Sequence, residues 1–269
     1  MFLKINLRAP LHLACRARLT SYFFWSGIFI ALSTFISSEF SARQPATIGL
    51  DNGLSVMRLT LPFVSAVLLQ ELVSREFDRK LYLTSITYPQ PRHQFLLGRI
   101  IATTLLLFGM LIGLAALLAG LTTWINFNYA QSTPPNLGLP YVVTIAFIAL
   151  DLLVVLAIGT LIAVTTTTPN FVLIGTLGFM LVARSYSAIV ALLTRDTTLV
   201  GNADTYQSSL SLLGYLLPDL GALDVRMISL YGDWQFLPDD WPLRVVSTLA
   251  YAAALFALSV WALNRKKFS

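Results

Sequence analysis

Residues 74–99 read SREFDRKLYLTSITYPQPRHQFLLGR. Seven charged side chains fall in this stretch: Arg75, Glu76, Asp78, Arg79, Lys80, Arg92 and Arg99. The runs on either side, Leu54–Val73 and Leu96–Thr122, are apolar over about the 20 residues that a helix needs to cross a bilayer core. A compact polar island between two such runs predicts a helical membrane protein with a loop that emerges into water, where it can touch a soluble partner.

The rest of the chain agrees. Of its 269 residues 56% are hydrophobic and 12% charged, with a mean hydropathy of +0.73. Soluble domains carry roughly twice that charged share, about 25%, and use it to stay dispersed. The bilayer is therefore the expected solvent. The net charge of +5 comes from Lys and Arg near the ends of apolar runs. It forms no aromatic-studded basic patch, so no nucleic-acid partner is expected. A single cysteine, Cys15, excludes an intrachain disulfide and any CxxC site. The first apolar run begins near Leu19 and is too long for a leader's apolar region, so no cleaved signal peptide is expected.

The expected fold class is an all-α membrane protein, a single transmembrane domain over 1–269. Six spans are predicted: Leu19–Ser38, Leu54–Val73, Leu96–Thr122, Tyr141–Val164, Phe171–Leu193 and Leu243–Leu263. Arg58 and Pro62 interrupt the second span, and Arg184 falls in the fifth. Gly109, Gly113 and Gly120 in the third suit close helix packing. Between the fourth and fifth, Pro169 suits a helix start. Residues 1–18 mix Ile5, Leu7, Leu11 and Leu13 with Lys4, Arg8, Arg16 and Arg18, the pattern of a basic interfacial helix. The segment 194–241 is apolar but broken by Gly214, Pro218 and Gly221, which predicts short helices that do not cross.

Basic residues set the expected orientation. Residues 1–18, the island and the C-terminal tail together hold twelve of the 18 Lys and Arg, against four (Arg43, Arg195, Arg226 and Arg244) on the other side. Both termini and the island are therefore expected in the cytoplasm of a plasma membrane, the inner membrane in a bacterium.

Catalytic signatures are missing. There is no G-x-x-x-x-G-K-[ST] loop to cradle nucleotide phosphates, and no nucleophile elbow. His12 and His93 both read as solvated surface rather than a shared metal site. The chain is expected to be no enzyme and to bind no cofactor or metal of its own.

The island resembles the loop after the second span in permeases of the ATP-binding-cassette type-2 family. There an acidic–basic cluster leads into a short amphipathic helix, then Pro, then a basic residue three positions later, then an apolar turn ending in Gly-Lys. Glu76, Asp78 and Arg79 match the cluster, and Pro89, Arg92, Gly98 and Arg99 match the rest. Lys80 stands in place of the family's small Gly, and Arg99 in place of its Lys. The version TYP-x-x-R-x-Q-x-LLG is similar to permeases linked to copper-enzyme maturation. The resemblance implies a soluble ATPase partner carrying ATP and Mg, and a second permease copy, usually in a homodimer. It also implies a coupling helix within 74–97. Arg79, Lys80 and Arg92 would face acidic residues of the ATPase, with Tyr82 and Tyr88 as packing anchors.

Type-2 permeases mostly export or flip their cargo. An alternative is a membrane subunit that anchors an ATPase and transmits work to an outer partner. In a dimer, Leu213, Leu216, Leu217, Pro218, Asp219 and Leu220 are expected to close the outer end of the path. Three intramembrane charges remain. Arg58 is placed to snorkel toward the membrane surface. Asp151 and Arg184 either pair across neighbouring helices or face a substrate path.

Overall fold

The computed structural model describes residues 19–74, 92–129, 131, 133–166, 168–195 and 218–265, with the backbone alone at 92, 93, 95 and 187–195. Among the described residues every regular element is helical. The long helices are α1 (Leu19–Glu39), α2 (Pro45–Leu69) with a π-helical turn at Gln70–Ser74, α3 (Arg92–Asn128), α4 (Leu139–Thr165) and α5 (Pro169–Arg195). A strap of short elements follows: a 3₁₀ turn at Gly221–Leu223, α6 (Met227–Tyr231) and a 3₁₀ turn at Trp234–Phe236. The last helix is α7 (Trp241–Arg265). The expected interfacial helix at 1–18, island residues 75–91 and residues 196–217 lie outside the described residues.

Five helices, α1, α2 with its π turn, α3, α4 and α7, are long and apolar enough to cross a membrane, which makes the chain an integral membrane protein. α5 is as long as α4, at 27 residues, but carries Arg184 and several Ser and Thr. It is not among the five. Tryptophans mark the membrane boundaries on α7. Trp241 and Trp261 are both exposed, and helical rise sets them about 30 Å apart, the thickness of a hydrocarbon core. Arg265 lies 4.4 Å over the Trp261 ring, a pairing suited to the headgroup zone.

The bundle has two ends. At the island end, Gln70 Nε2 donates to Asn170 Oδ1 (3.2 Å) and ties the π turn to the start of α5. At the strap end, the Asn136 N–H donates to the Ser229 carbonyl (2.9 Å), which fixes α6 to the chain entering α4. Gly232, at φ 71°, lets the chain leave α6 in the left-handed conformation, and its N–H closes on the Ile228 carbonyl at 2.8 Å.

The second span begins at Pro45 and not at Leu54, because residues after α3 cap it. Gln131 Oε1 accepts from the Ala46 N–H (3.2 Å), and Gln44 Nε2 donates to Thr133 Oγ1 (2.8 Å). The first satisfies an N–H that a helix start leaves without a partner, and the second ties the residue before Pro45 to the same segment. The earlier start brings Asp51 into the helix. Pro62 does not end α2, which runs through it.

Two apolar cores meet along α4. The larger joins Leu50, Leu54, Met57 and Leu61 of α2 to Leu107, Leu114 and Leu118 of α3 and to Leu152 and Leu156 of α4. The smaller joins Val154 and Val155 of α4 to Met180 and Ala183 of α5, to Ala252 of α7, and to Leu220, Leu223, Val225 and Ile228 of the strap.

Of the third-span glycines predicted to suit close packing, Gly113 makes a close approach and Gly109 and Gly120 do not. A β-carbon at Gly113 would lie 2.9 Å from Phe23, but at Gly109 and Gly120 it would meet nothing within 4 Å. The tighter contact is at Gly53, where a β-carbon would stand 2.3 Å from Leu118 and 2.7 Å from Thr34. Replacing Gly53 with Val is expected to wedge α2 away from α1 and α3 and cost about 1–3 kcal/mol, the usual range for overpacking. Gly120→Ala should be neutral or slightly stabilising. Thermal unfolding of the detergent-solubilised protein checks the pair, and a wild-type midpoint for Gly53→Val would contradict this packing.

Candidate functional site

The intramembrane charges are built outward from α2. Residues four and seven apart stack on one helix face, so Asp51, Ser55 and Arg58 form a polar stripe facing α4, α5 and the strap. Pro62 then matters for a second reason. It has no N–H, so the carbonyl four residues earlier, that of Arg58, loses its helical donor. Arg184 of α5 supplies one: its Nη1 donates to the Arg58 carbonyl at 2.8 Å. Its Nη2 pairs with Asp151 Oδ2 of α4.

Arg58 continues the chain with each of its nitrogens. Nε lies 3.7 Å from Asp151 Oδ2, Nη1 lies 2.5 Å from Asp224 Oδ2 in the strap, and Nη2 donates to the Leu220 carbonyl at 3.3 Å. Arg226 closes it. Its Nε lies 3.4 Å from Asp224 Oδ2 and its Nη1 lies 3.0 Å from Asp51 Oδ1, and Nη1 also donates to Ser55 Oγ. The order is Arg184–Asp151–Arg58–Asp224–Arg226–Asp51. Guanidinium and carboxylate alternate, and the six charges cancel when all are ionised. Side-chain exposure falls from 44% at Asp51 to 2% at Asp151, so the chain runs from the rim into the interior.

Magnitudes explain why these groups gather. A lone Arg or Asp at mid-membrane costs about 2.5–3.5 kcal/mol on insertion scales. Removing one partner of a buried pair costs about 3–5 kcal/mol, because the other charge is left uncompensated. Arg58, Asp151 and Arg184, singled out in the sequence, meet in one cluster. Arg58 turns inward, with 10% of its side chain exposed, instead of reaching for the membrane surface. Asp151 and Arg184 are paired across α4 and α5, and the Asp151 carboxylate is covered.

Sequence reasoning missed Asp51 and Asp224, and read Arg226 only as a charge on the side opposite the island. Two signals were present: Pro45 as a first-turn residue, which moves Asp51 into the helix, and the D-V-R triplet at 224–226, which carries both charges to one place.

The other candidate residues are placed as follows. Glu76, Asp78, Arg79, Lys80, Tyr82, Tyr88 and Pro89 lie outside the described residues, and Arg92 is the first residue of α3. Leu213, Leu216 and Leu217 also lie outside them. Asp219 Oδ1 accepts from the Ala222 N–H (3.1 Å) and so caps the first 3₁₀ turn beside Pro218. Leu220 is fully buried in the smaller core, and its N–H donates to the Ala183 carbonyl (3.3 Å).

Two further polar pairs stand at the strap end. A hydrogen bond from Arg244 holds the Asp240 carboxyl below its ordinary range just before α7. Tyr129 donates to Glu39 (2.8 Å), which raises its phenol above the ordinary value. Among the described residues no three His, Cys, Asp or Glu side chains gather to hold a metal ion. In the ion chain, arginines separate the three carboxylates. No family model matches this chain, and no curated protein matches it.

The ion chain makes a prediction by double-mutant cycle. Asp151→Asn leaves two guanidinium groups competing for less negative charge and is expected to cost about 3–5 kcal/mol. Asp151→Asn combined with Arg184→Gln restores neutrality. It should cost about 1–3 kcal/mol less than the sum of the single changes. Unfolding in mixed micelles measures all three variants, and strict additivity would show that the two side chains do not interact.

Proposed function

We propose that this chain is the membrane subunit of an ATP-driven transporter of the ATP-binding-cassette type-2 kind. A separate soluble subunit, docked on residues 74–99, would bind ATP and Mg and hydrolyse the nucleotide; this chain performs no catalysis. The observation that carries the reading is how the island is framed. Before it, α2 ends in a π turn whose Leu72, Val73 and Ser74 are buried. After it, α3 starts at Arg92 and runs for 37 residues. By helical rise that is about 55 Å, well beyond a hydrocarbon core of about 30 Å. A push on residues 75–91 therefore enters two packed helices directly.

In this reading Glu76, Asp78, Arg79, Lys80 and Arg92 set the charge pattern of the docking element, and Tyr82, Tyr88 and Pro89 its shape. α5 is the sixth crossing, which returns the C-terminus to the island side. The basic residues put that side in the cytoplasm. Two copies face each other, because the helices of one copy leave little room for a central path between them. Cargo would then move outward between copies.

The ion chain also favours a second reading. α2 reaches the island at one end and is held by Arg226 and Asp224 of the strap at the other. Motion at the island can reach the strap without a passage opening inside the chain. An outer partner seated there would receive work and not cargo. ATPase stimulation by an added cargo, in the purified complex, separates the two readings.

Changing Glu76 and Arg79 together to Ala is expected to abolish co-purification of the ATPase subunit while membrane insertion stays at the wild-type level. The wild-type complex should have the native mass of two membrane and two ATPase subunits. An intact complex from the double variant would refute docking at the island. In a cysteine-free background, Ser269→Cys should resist a membrane-impermeant maleimide in intact cells and react after permeabilisation; reaction in intact cells would invert the orientation.

A further inference from the structure

We propose that Arg58 is a two-position latch between α2 and the strap, holding Asp224 in one position and Asp151 in the other. Three observations carry this, and none depends on the ATP-driven reading.

The first is geometric. Arg58 already stands between both carboxylates, 2.5 Å from Asp224 through Nη1 and 3.7 Å from Asp151 through Nε. Its Nε makes no hydrogen bond with a described residue, and Asp151 Oδ1 accepts none. A buried donor thus lies 3.7 Å from one oxygen of a carboxylate whose other oxygen accepts no hydrogen bond from a described residue. A swing of the Arg58 guanidinium toward Asp151 would satisfy both at once.

The second is the kind of contact on each side of the strap. Toward α4, α5 and α7 the strap is held mainly by apolar packing of Leu220, Leu223, Val225 and Ile228, with the Leu220 N–H on the Ala183 carbonyl of α5. Toward α2, beside Leu230 of α6 in the larger core, the contacts are polar: Asp224 and the Leu220 carbonyl to Arg58, and Arg226 to Asp51 and Ser55. Apolar burial is lost in proportion to area, whereas an ion pair can be exchanged for another of similar strength. The α2–strap seam, held largely by ion pairs, is therefore the one that can part most readily while the strap stays on its other three helices.

The third is the division of charge. Asp51 and Arg58 on α2 sum to zero, as do Asp151, Arg184, Asp224 and Arg226 across the seam. When Arg58 leaves Asp224, that carboxylate keeps Arg226, 3.4 Å away. In neither position is Asp224 or Asp151 left without a guanidinium. A purely structural pair needs no such second partner in reach.

The test uses the full chain in phosphatidylcholine nanodiscs, with Cys15→Ser and spin labels on Leu59→Cys of α2 and Tyr231→Cys of α6, both exposed positions. Pulsed electron spin resonance reads the distance between them. Changing Asp224→Asn with Arg226→Gln keeps the strap neutral and removes the first position. A shift to a second, longer and still narrow distance is expected. Adding Asp151→Asn with Arg184→Gln removes the second position and should turn that narrow distance into a broad one. Asp224→Asn alone carries the same expectation as the first double variant if that variant does not fold. An unchanged distance after loss of Asp224 would overturn the latch, as would a narrow second distance that survives loss of Asp151.

Discussion

Inside a bilayer a carboxylate must bring its own solvation. Asp151 sits at the middle of the apolar helix α4, and its charge is tolerable only because two guanidinium groups reach it from α2 and α5. That requirement organises the fold around it. Arg58 must face inward, so α2 must turn its Asp51–Ser55–Arg58 stripe toward α4. With Arg58 and Arg184 both present, the interior would carry excess positive charge, and the strap answers by supplying Asp224. Asp224 in turn comes with Arg226, which reaches back to Asp51. Each ion is explained by the one before it. Pro62 belongs to the same account, since the carbonyl it leaves without a helical donor is the one that Arg184 takes.

How legible this was depends on the length of the signal. The five crossing helices announce themselves as long apolar runs, and an intruding charge in such a run is conspicuous, which is why Arg58, Asp151 and Arg184 stood out. Asp51, Asp224 and Arg226 did not, because they lie where apolar periodicity ends and a sequence offers no contrast. The start of α2 was misplaced for a related reason. Its first turns hold Gly49, Asp51 and Gly53, which lower the apolar signal, while the group that takes its Ala46 N–H comes from Gln131, far away in the chain. Glycine was misleading in the opposite direction. Gly109 and Gly120 sit in an apolar run and look like packing positions, yet they face open space, while Gly53 makes the close approach. A helix wheel cannot tell lipid from neighbour when both are apolar.

α4 divides the labour between the two cores. Leu152 and Leu156 pack into the larger core, and Val154 and Val155 into the smaller. Residues two apart point to different sides of a helix, so one helix serves as a shared wall: α2 and α3 supply most of the larger core, which Val172, Leu230 and Leu263 also join, and α5, the strap and α7 pack on the side of the smaller. Asp151 lies on this wall next to the border. An ionic contact at the border of two apolar bodies holds them in register without welding them. Apolar packing there would bind them through area, and any relative movement would expose it.

The choice of arginine on the α2 side follows from the same geometry. Arg58 has one partner or near-partner for each of its three nitrogens: Asp151 at Nε, Asp224 at Nη1 and the Leu220 carbonyl at Nη2. A lysine ammonium is a compact point charge on a flexible stem, and it is more strongly hydrated. At this position it could sit against one carboxylate or the other, but it could not span both while also holding a backbone carbonyl. Lysine would also shed its proton more readily when buried, and the alternation of charge from Arg184 to Asp51 would then break at its centre. The planar, permanently charged fork is what allows a single side chain to belong to two helices and the strap at once.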